Sequence, residues 1–151
     1  MSGKSNSTLK GRLRQHKGFL NGGGNRRVSV FRRHVGNAII KKENFDEKEV
    51  QDEVLEKMIS DYINSLPLAV LLFEDYADKR RIFEKNSIRI LSNCSENFNK
   101  DWLGSFSIDE KISKSGLWNI QHVNINNEKY NNETKVEINN FLNELEILTK
   151  M

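Results

Sequence analysis

The chain has 151 residues, of which 36% are apolar, with one proline and one cysteine, and its mean hydropathy is −0.67. This leaves room for one modest domain with chain to spare, and it excludes an intrachain disulfide framework and a membrane-spanning run of about 18 apolar residues. The net charge of +3 hides a division: Met1 to Lys42 holds eleven basic residues and no Asp or Glu, and the remainder holds thirteen basic against twenty-one acidic, the asymmetry of an interaction arm on an acidic body.

Residues 1–43 are rich in Gly, Ser, Asn and Arg, with Gly22-Gly23-Gly24 at the centre. That composition predicts a disordered basic arm. The segments LKGRLRQHK and NRRVSVFRRH place Arg12, Arg14, Lys17, Arg26, Arg27, Arg32 and Arg33 in two clusters, with Phe19 and Phe31 available to stack or wedge. Basic residues in that pattern suit the phosphates of DNA or RNA. An acid-free, Arg- and Ser-rich head with Leu9, Leu13 and Phe19/Leu20 on one helical face also suits a mitochondrial presequence. A regulatory docking segment and a merely solubilising tail are two further readings. Arg26-Arg27-Val28-Ser29-Val30 resembles the site of basophilic kinases, so Ser29 is the candidate phosphorylation site, and a phosphate there would oppose any polyanion contact. The glycine run is followed by no Gly-Lys-Ser/Thr and forms no nucleotide cradle.

The body is expected to begin near residue 44. Asp46 and Glu49 stand in capping-box spacing, with Phe45 and Val50 placed as a hydrophobic staple. A helix should follow, its stripe made of Val50, Val54, Leu55, Met58, Ile59, Tyr62 and Ile63 and its end set by Leu66-Pro67. The apolar run Leu68 to Glu74 then reads as a strand, Asp75 to Asp78 as a turn, and Arg80 to Lys85 as the returning strand. From Asn86 onward both a strand and a short helix fit. Leu117 to Ile125 reads as one more strand, and Thr134 with Glu137 opens a final amphipathic helix bearing Ile138, Phe141, Leu142, Leu145 and Leu148. This order gives an α+β domain over 44–151, a small antiparallel sheet of about three strands with amphipathic helices on one face.

Over residues 65–104 the succession of SLP-LAVLLFE, a polar turn, R-IFEKN, SIRIL and Trp102-Leu103-Gly104 resembles the first half of a PAS domain. The resemblance implies a sensory or dimerisation module in which Asn86 opens a helix. After Gly104 the chain departs from that pattern, with a single further strand where two or three more belong.

His16, His34 and His122 stand in no base or metal motif, Cys94 in SNCSEN is the type of small buried residue, and the acids are scattered along helix faces. No catalytic residue, metal ligand or cofactor is therefore expected. The reading is a non-enzymatic adaptor or assembly subunit, with protein partners in a larger complex meeting Leu142, Leu145 and Trp102. DNA or RNA would be held by the arm, and no membrane is involved. A PAS-like module and a mitochondrial subunit with a cleaved head are the alternatives. The expected location is intracellular, nucleus or cytoplasm in the first two cases.

Overall fold

The computed structural model describes residues 8–18, 24–68, 77–93 and 101–123, together with Val136, Asn139, Asn140 and Asn143 near the end. They form α1 (Leu9–Lys17), α2 (Val30–Glu43), α3 (Asp52–Ser65), α4 (Ala77–Asn93) and α5 (Glu110–Ser115), with a 3-10 turn at Leu103–Phe106, and Val136, Asn139, Asn140 and Asn143 are helical as well. Two compact units divide the chain, Met1–Ala69 with Leu103–Asp109, and Val70–Trp102 with Glu110–Met151.

In the first unit α2 packs on α3 and on the 3-10 turn, and α1 lies against α3. The core is built from Val35, Ala38 and Ile39 of α2, Leu55, Ile59 and Ile63 of α3, and Leu103 of the turn, all buried. Each large aliphatic side chain withdrawn in this way contributes about 1.5–3 kcal/mol. A Cβ on Gly36 would come within 2.9 Å of Ile59 Cδ1, so the absence of a side chain there is what lets α3 approach α2. Ser29 caps α2 by accepting from the Arg32 amide. Asn44 ends it in a left-handed conformation, φ 54°, and the Phe45 amide donates to Ile40 O at 3.0 Å. The expected boundary at residue 43/44 falls between these two packed helices.

Within the basic head, expected as a disordered arm, Leu9–Lys17 and Val30–Glu43 are helical. Its apolar content is too low to stand out, yet Val35, Ala38 and Ile39 fall on one face of α2 and are buried there. The helix expected from Asp46 starts instead at Asp52. Asp46 closes a local turn, accepting from the Lys48 amide through Oδ1 and from the Glu49 and Val50 amides through its carbonyl. The helix ends at Ser65, just before Leu66-Pro67.

The antiparallel sheet is overturned: the described residues are helical and hold no strand. Arg80 to Lys85, expected as a returning strand, lies inside α4. The alternation at Ile88 and Ile90 misled because Phe83, Asn86, Ser87 and Ile90 also recur at helical spacing, and these four are half-buried. Asn86 sits within that helix and opens nothing, so the PAS-like succession fails in this segment. Leu117 to Val123 is irregular. Gly116 takes φ 72°, Asn119 Oδ1 accepts from the Gln121 amide at 2.8 Å, and His122 takes φ 59°. Two left-handed residues and a side-chain turn cannot lie in an extended ladder. The expected strand over 69–74 lies outside the described residues.

In the second unit α4 meets α5. Ile112 and Ser115 of α5 are buried, Lys111 Nζ donates to Ile120 O at 3.2 Å, and the Trp102 and Trp118 rings meet at a centroid distance of 5.2 Å and 59°.

Candidate nucleic-acid interface

Ten of the eleven basic residues of the head lie among the described residues, and they differ in depth. Arg32 lies deepest, fully buried in the first turn of α2. Its Nη2 donates to Glu56 Oε2 at 2.6 Å, to Glu56 O at 3.1 Å and to Ser60 Oγ at 2.8 Å, its Nε donates to Glu56 Oε2 at 3.2 Å, and its Nη1 donates to His16 O at 3.0 Å. One guanidinium thus joins the last turn of α1, the start of α2 and the middle of α3. Gly24 makes the space for it, because a Cβ at that position would overlap the guanidinium. Arg26 is mostly covered, pairing with Asp52 at 3.2 Å and lying 3.8 Å from Glu47, and its amide donates to Glu56 Oε1. Arg27 is exposed and pairs with the other oxygen of Asp52 at 3.0 Å, an exposed contact that solvent screens and a phosphate could displace.

Besides Arg27, exposed cations are found on α1 and on α2. Thr8 caps α1 by accepting from the Gly11 amide at 3.1 Å. Lys10, Arg14 and Lys17 follow at intervals of four and three residues, the spacing of one helical face; Lys10 and Arg14 are exposed and Lys17 is half-buried. Arg12 is exposed on the same helix, and Arg33, Lys41 and Lys42 are exposed on α2. No residue of α1 is fully buried. Polar contacts at its C-terminal end seat it: Gln15 Nε2 donates to Val28 O at 2.8 Å, His16 O accepts from Arg32, and His16 Nδ1 lies 3.0 Å from Ser29 Oγ. The Phe31 ring stands edge-on to His16 at 5.8 Å.

Burial, with the Arg12 and Arg32 guanidinium groups beside it, lowers the His16 pKa below the ordinary imidazole value. His16 Nδ1 and Ser29 Oγ share a hydrogen bond, and the Ser29 oxygen also accepts from the Arg32 amide. Burial also lowers the His34 pKa, assisted by Arg33 and opposed by Asp109.

Of the residues singled out from sequence, Arg12, Arg14 and Lys17 share α1 and Arg33 lies outward on α2. Arg26 and Arg27 are ion-paired, and Arg32 is withdrawn altogether. Ser29 is 1% exposed and holds the start of α2, so a kinase would reach it only once that end had opened. Trp102 is half-buried against Trp118, and Leu142 and Leu145 lie outside the described residues. Sequence reasoning missed Glu56, Ser60 and Gly24. The available signal was the pair Glu56 and Ser60, four residues apart beside Leu55, Ile59 and Ile63: a carboxylate and a hydroxyl bordering an apolar stripe call for a buried cation. Among the described residues no group of three His, Cys, Asp or Glu side chains could hold a metal ion, and no helix is long and apolar enough to cross a membrane.

The model of the GIY-YIG domain family matches residues 1–147. The chain belongs to that family. Neither a curated protein nor a solved structure matches it. The GIY-YIG domain is a nuclease domain, which overturns both the PAS resemblance and the reading as a non-enzymatic adaptor or complex subunit. The nucleic-acid partner expected from the charge of the head is compatible with the family, whose nucleases act on DNA. Neither tripeptide of the family's name, Gly-Ile-Tyr or Tyr-Ile-Gly, occurs in these 151 residues.

Proposed function

We propose that this chain is the DNA-engaging part of a GIY-YIG nuclease, with α1 laid against the phosphate backbone and phosphodiester hydrolysis as the reaction served. One observation carries the reading. The fold pairs Arg26 with Asp52 and buries Arg32 against Glu56, while Lys10, Arg12 and Arg14 are exposed and Lys17 is half-buried on a single short helix. Cations fixed on a folded surface neutralise phosphates without the ordering cost a disordered arm would incur. Contacts of this type set register on the duplex and carry little sequence information. The planar guanidinium groups of Arg12 and Arg14 suit two-pronged contact with phosphate oxygens, and negative charge that develops on those oxygens during hydrolysis is best stabilised by donors already in place.

Incubation of supercoiled plasmid with the chain in the presence of a divalent cation, followed by gel separation of nicked and linear forms, tests the reading. Nicking by the parent chain, lost in the variant Lys10→Gln/Arg14→Gln/Lys17→Gln with its helical circular dichroism intact, supports it. Equal nicking by both would remove α1 from the DNA contact.

A further inference from the structure

We infer that Arg32 is a positioning residue, a buried clamp that seats the DNA-facing helix α1 on the first unit. The inference rests on the proposed role of α1 for its consequence in DNA binding, and on geometry alone for the clamp. α1 buries no residue completely, so apolar packing does little to fix it. Gln15 and His16 make polar contacts at its C-terminal end, and Arg32 spans the gap between that end and α3 by donating at once to His16 O, Glu56 and Ser60 Oγ. Glu56 holds the clamp from beneath. It takes the guanidinium on Oε2 and the Arg26 amide on Oε1, which also ties down the loop carrying Gly24. The fork geometry is essential to this: the single nitrogen of lysine could keep the ion pair with Glu56 but could not span the distance between His16 O and Ser60 Oγ, which Nη1 and Nη2 contact separately. Being wholly buried, Arg32 presents no charge to DNA. Its loss should therefore weaken binding by loosening α1, with the number of neutralised phosphates unchanged.

Arg32→Lys in the full chain tests this, with Glu56→Gln as the second variant because it removes the charge and leaves a single acceptor oxygen where the carboxylate offers one to Arg32 and one to the Arg26 amide. Amide hydrogen exchange is read on α1 and α3, and affinity for a labelled DNA duplex is read at several salt concentrations. The expected result is exchange in α1 faster by about tenfold with α3 unchanged, affinity lowered by about the same factor, and an unaltered slope of log affinity against log salt. Glu56→Gln should move the same quantities less. Unchanged α1 exchange in both variants would overturn the clamp. A slope shallower by about one would also overturn it, since that marks Arg32 as a phosphate contact. Loss of the whole fold in Arg32→Lys, or equal acceleration in α1 and α3, would make Arg32 a general core residue and equally end the proposal. If the parent chain binds no duplex, the reading of α1 as a DNA contact fails while the exchange data still decide the clamp.

Discussion

Gly24 shows how a single missing side chain can govern a charged cluster. Arg32 occupies the place a Cβ on Gly24 would take, and with its guanidinium held by Glu56, Ser60 and His16 it has nowhere to swing. Gly24→Ala should therefore cost about 1–3 kcal/mol, the usual penalty of forcing an atom into a filled space, measured by denaturant unfolding; a neutral change would mean that the guanidinium is not held. His16 gives a pH dependence. Its pKa is lowered in the folded state, so the folded chain resists binding a proton that the unfolded chain accepts near the ordinary value of about 6.5. Stability from this source is present above that value and is lost as pH falls below it. His34, shifted in the same direction, adds to the effect. Unfolding midpoints should fall between pH 7 and pH 5, and His16→Gln/His34→Gln should flatten the profile.

At the scale of elements, α3 was the most legible part of the chain and the sheet the least. The stripe through Leu55, Ile59 and Ile63 is read directly from three- and four-residue spacing, and those three side chains are buried. Truncation at its centre, Ile59→Ala, should destabilise the first unit by about 2–5 kcal/mol, seen in the same unfolding measurement. Its start was misplaced because capping-box spacing at Asp46 and Glu49 also describes an isolated turn. α2 was overlooked for the opposite reason: Gly, Asn, His and paired Arg and Lys dilute its stripe, and only the burial of Arg32 explains how so basic a segment enters a core. The segments read as strands over 80–85 and 117–125, the latter described as far as Val123, show the weakness of short alternation. In α4 a helical period runs through the same residues, and beyond α5 left-handed Gly116 and His122 break any extended path.

For the whole molecule, charge was the most informative sequence property and catalysis the least. The acid-free head pointed to nucleic acid, and the family match agrees with that partner while replacing the adaptor with a nuclease. The candidate surface itself was half legible. Arg12, Arg14 and Lys17 were named, but no one-dimensional pattern could tell them from Arg26 and Arg32, whose partners lie twenty or more residues away on α3 and in the loop before it. The proposed meeting of α1 with DNA through its exposed cations is tested most directly by salt dependence. Duplex affinity should be titrated across salt concentrations for the parent chain and for Lys10→Gln/Arg14→Gln/Lys17→Gln. Loss of three phosphate contacts should make the slope of log affinity against log salt shallower by about 2 to 3, whereas the same slope and affinity in both chains would contradict the claim.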